Sequence, residues 1–299
     1  MNSILSTGDT LSRHASARLV RSKAELRSAL AEPRRQGQTI GLVPTMGYLH
    51  EGHVSLLRAA RAECDVVVMS LFVNPTQFGP GEDLERYPRD EERDLRLATE
   101  AGVDLAFAPG VAEVYPEGFS TRVEVGGTLT EVLDGDRARR GPDHFRGVTT
   151  IVAKLFNVVG PDVAYFGQKD AQQAAVIRRM VRDLDFPLRV AVLPTVREPD
   201  GLAMSSRNAY LEPADRERAA ALSAALRTVE REARAGSLAT ALEAGRRELA
   251  QAGIEPEYLE ARDADLLEPV EELAGRPVLV AVAARVGSAR LIDNVLIRP

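Results

Sequence analysis

The sequence predicts an α/β fold, a doubly wound parallel sheet with a smaller C-terminal α+β domain. Three observations carry this expectation. Strand-like runs alternate with amphipathic helical runs as far as about residue 194, the pattern of crossover units in a parallel sheet. One of these runs, 65–73, is almost wholly apolar, which suits a strand covered on both faces. Beyond residue 195, two alanine- and arginine-rich helices precede three strand-like runs, segregated rather than alternating.

Taken in order, residues 18–20 form a short apolar opening. Ser22 caps a helix reaching about Arg35, with Glu25 in the capping-box position and Gly37 as its stop. Residues 39–43 are a brief β-rich run cut off by Pro44. From 53 to 64, Val54, Leu57 and Ala60 recur at helical spacing. The buried strand at 65–73 follows, then a charged helix at 90–101 stopped by Gly102, and a strand at 103–108. A further strand is expected at 121–125, at a sheet edge. Helices at 148–158 and 170–184 alternate with strands at 162–166 and 188–193. Helices at 213–235 and 238–252, separated by Gly236, lead to strands at 256–261, 277–284 and 289–297. The expected division is a loose polar extension over 1–17, a first domain over 18–194 and a second over 195–299.

Composition excludes several functions. The 299 residues are 44% hydrophobic and 27% charged, with 38 Lys and Arg against 44 Asp and Glu, a formal charge of −6. This is not the make-up of a disordered chain, and no basic arm for nucleic acid is present. The single cysteine, Cys64, excludes an intrachain disulfide and suits a reducing compartment. No apolar run is long enough to span a membrane, and residues 1–17 lack the apolar block and cleavage site of a secretory signal. A cytoplasmic location is expected. Lysine occurs only at 23, 154 and 169, and histidine only at 14, 50, 53 and 144.

The most informative segment is Pro44-Thr45-Met46-Gly47-Tyr48-Leu49-His50-Glu51-Gly52-His53, between a predicted strand and a predicted helix. Gly47 and Gly52 permit close backbone approach. A helix N-terminus with two histidines at its mouth suits a phosphate, because free N–H groups and imidazole donors meet growing negative charge. The His50-Glu51-Gly52-His53 spacing is one residue short of a zinc-protease helix, and no further ligand cluster stands near it in sequence. Gln77, in Asn74-Pro75-Thr76-Gln77, follows the strongest strand and offers an amide to a substrate with hydroxyls and a carboxylate. In Gly167-Gln168-Lys169-Asp170 a rare lysine stands at another strand end, suited to a triphosphate, and Asp170 can cap the next helix. In Met204-Ser205-Ser206-Arg207 two hydroxyls precede a guanidinium, a phosphate-clamping set.

His50-x-Gly52-His53 resembles the signature of the nucleotidyltransferase superfamily. The longer string through Pro44, together with Gln77, Lys169 and Met204–Arg207, resembles the pantoate–β-alanine ligase family. The resemblance spans nearly the whole chain and implies a Rossmann-like first domain, a second domain acting as lid, and a homodimer. It implies that ATP adenylates pantoate and that β-alanine then displaces AMP, with Mg2+ on the phosphates. ATP would be held by Met46, Gly47, Tyr48, Leu49, His50, Glu51, Gly52, His53, Gly167, Gln168, Lys169, Asp170, Val196, Met204, Ser205, Ser206 and Arg207. His53, as proton donor, with His50, Lys169, Ser205, Ser206 and Arg207, would serve catalysis. Gln77 would contact pantoate and border the β-alanine site, and Gln173 would hold pantoate. No metal ligand is singled out. The segment Arg140-Gly141-Pro142-Asp143-His144 departs from the family's Arg-Pro-x-His by one residue, which leaves the reach of Arg140 and His144 open. The alternative is another member of the superfamily that leaves AMP on its product.

Overall fold

The computed structural model describes residues 16–298. The extension expected over 1–17 therefore lies outside the described residues but for its last two.

The first part builds β1 (Arg18–Val20), α1 (Lys23–Arg35), β2 (Ile40–Thr45), α2 (Glu51–Glu63), β3 (Val66–Leu71), α3 (Glu91–Glu100) and β4 (Leu105–Phe107). Two one-turn helices follow, α4 (Val111–Val114) and α5 (Thr128–Glu131). Then come α6 (Pro142–Val159), β5 (Val163–Gly167), α7 (Ala171–Asp183) and β6 (Arg189–Leu193). The six strands form one parallel sheet in the order β1-β4-β3-β2-β5-β6, the doubly wound arrangement expected. The chain moves outward from β2 through β3 to β4, then returns to β5 on the other side of β2. The crevice at the carboxyl ends of β2 and β5 is therefore a topological switch point, where such sheets bind ligands.

Side chains alternate across β2. Ile40 and Leu42 join α1 and α6 in one core, and Val43 joins Val54, Leu57 and Ala60 of α2 in the other. Burial on both faces explains why β3 is apolar at every position but Ser70.

The later part comprises α8 (Pro213–Ala219), α9 (Ala221–Ala235), α10 (Leu238–Gln251) and an antiparallel sheet of β7 (Pro256–Asp263), β8 (Val278–Val286) and β9 (Ala289–Ile297), in that order. One face of β8 (Val278, Val280, Val282) packs under α9 and α10. The other (Leu279, Ala281, Ala283) packs with Leu133, Phe145 and Val176 of the first part. The small sheet is thus pressed between its own helices and the parallel-sheet layer.

Four local expectations are corrected. β2 continues through Pro44 to Thr45. The carbonyls of Thr39 and Thr45 serve β3, so alternation turns the Pro44 nitrogen toward β5, whose pairing covers only Gly41 and Leu42. The helix expected from 148 begins at Pro142, with proline in the first turn where its missing N–H costs nothing. The helix over 213–235 is two helices meeting at Ala220. Residues 121–125 form no strand. The Val123 N–H donates to Thr150 Oγ1, and Thr149 Oγ1 donates to the Val123 carbonyl, so helix side chains take the place of a neighbouring strand.

Candidate active site

The turn from β2 into α2 is built from reciprocal bonds. Gly47 (φ 89°) and Tyr48 (φ 51°) both take the left-handed region, uncommon for tyrosine. Asp94 of α3, buried beneath them, accepts from the N–H groups of Tyr48 and Leu49, each at 2.7 Å. Burial raises the Asp94 carboxyl's pKa, and these two donors oppose the rise. Arg93 donates to the Leu49 carbonyl at 2.9 Å. His50 is the N-cap of α2: its Nδ1 accepts from Gly52 N–H at 3.1 Å, and His53 Nδ1 accepts from His50 N–H at 3.3 Å. A Cβ on Gly52 would stand 2.8 Å from the His50 ring, which is why glycine separates the histidines.

Because both Nδ1 atoms are acceptors, each neutral ring carries its proton on Nε2. The rings lie 4.1 Å apart between centroids, tilted by 40°. Burial first, then mutual repulsion and Lys169, lowers the His50 pKa to about 2. Burial lowers that of His53 to about 4 despite the attraction of Asp170. Both rings are neutral hydrogen-bond donors at pH 7.

The facing wall is a small hairpin. Glu198 N–H bonds the Leu202 carbonyl and Met204 N–H bonds that of Val196, around the Pro199–Gly201 tip. Among the described residues the Val196 N–H has no partner. Ser205 caps the 3-10 turn Ser206–Tyr210, and Ser206 Oγ donates to the Tyr48 carbonyl at 3.2 Å, joining the two walls. Arg207 makes a two-pronged pair with Asp83, both bonds 2.9 Å. Against the cost of burial, Arg207 holds the Asp83 carboxyl below its usual range.

Gln77 and Lys169 complete the cleft. Buried Asn74 donates to Gln77 Oε1 at 3.0 Å, and Gln77 Nε2 donates to Met46 Sδ at 3.3 Å, so the amide keeps one N–H to offer. His144 donates through Nδ1 to the Gln77 carbonyl at 2.7 Å, and Arg140 meets its Nε2 at 3.1 Å. Burial, then Arg140, lowers the His144 pKa to about 4. Arg140 also pairs with Glu82. From β9, Asn294 Nδ2 donates to the carbonyls of Gln168 and Lys169 at 2.9 Å each, and Asp293 pairs with Arg197. The small sheet thus steadies the lysine turn. Asp170 stands at the N-cap of α7 but makes no capping bond.

Residues 18–296 match the family model for pantoate–β-alanine ligase. Pantothenate synthetase of Moorella thermoacetica is 57% identical over 282 residues, covering 93% of this chain and 98% of the relative. The crystal structure of pantothenate synthetase from Thermus thermophilus superposes with a TM-score of 0.89 at 53% identity, covering 94% of this chain and all of that one. A pantoate–β-alanine ligase from Francisella tularensis, complexed with a β,γ-ATP and β-alanine, gives a TM-score of 0.79 at 33% identity, covering 94% and 98%.

The chain belongs to the pantoate–β-alanine ligase family.

In this ligase one cleft gathers Met46, His50, Gly52, His53, Gln77, Gly167, Lys169, Asp170, Gln173, Val196, Met204, Ser205, Ser206 and Arg207. Gly47, Tyr48, Leu49, Glu51 and Gln168 do not line it. The first three form the turn behind the histidines, Glu51 pairs with Arg58 on the surface, and Gln168 bonds Asn294. Arg140 and His144 do reach the cleft wall. Sequence reasoning missed Asn74, Asp94 and Asn294. Asn74 lay inside a motif already singled out, and the other two carry no local signal. Among the described residues no three His, Cys, Asp or Glu cluster to hold a metal, and no helix is long and apolar enough to cross a membrane.

Proposed function

We propose that this chain joins pantoate to β-alanine at this cleft, in two displacements. A pantoate carboxylate oxygen attacks the α-phosphorus of ATP and pyrophosphate leaves. The β-alanine nitrogen then attacks the acyl carbon, losing a proton as AMP departs, and pantothenate results. The observation that carries the reading is the convergence of two neutral imidazole donors, a helix N-terminus, Lys169 and the Ser205–Arg207 turn on one crevice at the switch point.

His50 and His53 stabilise the charge growing on the α-phosphate through their Nε2–H groups. Burial keeps the His53 ring neutral, so it meets the α-phosphate as an Nε2–H donor. Lys169 and Arg207 neutralise the β- and γ-phosphates, Ser205 and Ser206 add hydroxyl donors, and the Val196 N–H meets the adenine edge. The remaining Gln77 N–H takes a pantoate oxygen, and Gln173 holds the same molecule from α7. Asp170, free of a capping bond, would share magnesium with the triphosphate. One carboxylate is enough for an ion that keeps waters and phosphate oxygens as its other ligands, and the ion supplies further charge neutralisation. Residues 195–299 act as the lid that keeps water from the adenylate. The same reading includes a cytoplasmic homodimer.

Pyrophosphate release from ATP with pantoate alone, then AMP release on adding β-alanine, tests the order of steps. Release of AMP without β-alanine would contradict it. Gln77→Ala is expected to weaken pantoate about tenfold, the scale of one lost hydrogen bond to a charged group, with little effect on ATP. Separate titrations of the two ligands measure this.

A further inference from the structure

Asp134 is a buried acid that the proposed chemistry leaves unused. It stands in the 3-10 turn Leu133–Gly135 on the cleft wall and is 6% exposed. Each of its polar atoms is engaged. The carboxylate accepts from Tyr258 Oη of β7 at 2.8 Å and from Arg290 of β9 at 2.9 and 3.3 Å. The backbone N–H donates to Gln172 Oε1 of α7 at 3.0 Å, and the carbonyl accepts from the N–H groups of Arg140 and Gly141, both at 3.2 Å. The side chain thus belongs to the small sheet and the main chain to the first part. Against the cost of burial, Arg290 holds the Asp134 carboxyl below its usual range, so a full charge sits between the two parts.

The turn is tightly built. Leu133 takes the left-handed region (φ 51°), and a Cβ on Gly135 would collide with the Thr130 carbonyl. Gln172 Nε2 closes it with bonds to the carbonyls of Leu129 and Val132. Such a turn moves as a unit, and it carries Arg140. The Arg140 guanidinium meets His144 Nε2 at 3.1 Å and donates to the Gln77 carbonyl at 3.4 Å, the same carbonyl that His144 meets at 2.7 Å. A buried ion pair adds little net stability over apolar packing, so the use of this one lies in where it holds the turn.

We propose that Asp134 and Arg290 are positioning residues for the pantoate side of the cleft. Together they seat the 133–141 turn on the small sheet, and through it they set the Arg140 and His144 groups that hold the Gln77 main chain. The inference rests on the reading in which Gln77 takes pantoate. The ATP side hangs on the same strand by other contacts, Asn294 to the Lys169 carbonyl and Asp293 to Arg197, so the two sides are separable.

Pyrophosphate release by the full chain, with pantoate and ATP varied in turn, tests this. The double variant Asp134→Asn/Arg290→Gln neutralises both partners, so no unpaired charge is left buried, and the shorter glutamine no longer closes the contact. It is expected to raise KM for pantoate at least ~5-fold while KM for ATP stays within about twofold. Arg140→Met is expected to raise KM for pantoate as well. Added to Arg140→Met, the double variant is expected to raise it less than ~2-fold further, because residues acting through one another are not additive. A merely structural pair would lower Tm and leave KM for pantoate alone, and that result would overturn the proposal. So would an equal rise in both KM values, or effects of Arg140→Met and the double variant that multiply. Absence of pantoate-dependent pyrophosphate release from wild type would sink the ligase reading and this inference with it. A wild type that responds to pantoate, with a double variant of unchanged KM, would sink the inference alone.

Discussion

On the wall made by residues 46–53, polar groups are committed to one another. Asp94 takes two backbone N–H groups, each imidazole Nδ1 takes another, and the resulting donors are neutral. On the wall made by residues 195–208 the fastenings are ion pairs, Arg207 with Asp83, Arg197 with Asp293 and Arg216 with Glu198. The difference follows from what each wall would meet. Neutral, preorganised donors strengthen their bonds as charge develops without reorganising. A guanidinium held by a carboxylate can exchange that carboxylate for a phosphate of the same geometry.

The first wall breaks most severely at His53. His53→Ala is expected to lower the rate of adenylation by ~10²-fold or more, the scale for losing one transition-state donor. Single-turnover pyrophosphate release measures it, and a near-normal rate would remove His53 from the chemistry. Asp94→Asn turns one acceptor oxygen into a donor facing a backbone N–H. About a tenfold fall in kcat is expected from the misaimed histidines, with KM for ATP little changed. A drop in Tm alone, with kcat intact, would make Asp94 merely structural.

The same wall has a signature in pH. His50, His53 and His144 all have folded pKa values far below the ordinary 6.5. Their contribution to stability is complete above about pH 6.5. It declines as pH falls toward about 4 for His53 and His144 and toward about 2 for His50, because the unfolded chain takes up protons that the folded one refuses. The slope is up to ~1.4 kcal/mol per pH unit for each histidine. Denaturant unfolding at pH 7 and pH 5 measures it, and equal stabilities would show that the three rings are protonated in the folded state. The smallest effect belongs to the other wall. Asp83→Asn frees Arg207 and is expected to lower KM for ATP roughly two- to fivefold, the scale of a pair worth up to ~1 kcal/mol. A rise in KM would mean that Asp83 aims Arg207 rather than competing for it.

This contrast also explains what could be read in advance. The β2–α2 turn was legible because Pro44, Gly47 and Gly52 punctuate it and two scarce histidines mark it. The strand and helix order was legible from apolar spacing alone. Asp94 and Asn294 were not, since an acid in a charged helix and an amide in a strand look like any solvated residue until the fold brings them to a distant backbone. Residues 121–125 have the right residues for a strand, but threonines of α6 satisfy their inner edge. Sequence pattern shows that a run prefers extended backbone, not where its backbone bonds go. The start of α6 at Pro142 did carry a local signal, proline in the first turn after glycine.

The fastenings between the two parts of the molecule join residues far apart along the chain: Ser206 to Tyr48 across 158 positions, Arg290 to Asp134 across 156 and Asn294 to Gln168 across 126. Each such closure comes late in folding, after nearby helices and strands have formed. During renaturation the circular dichroism of the helices should therefore return well before any turnover does, and the lag times the docking of the small sheet.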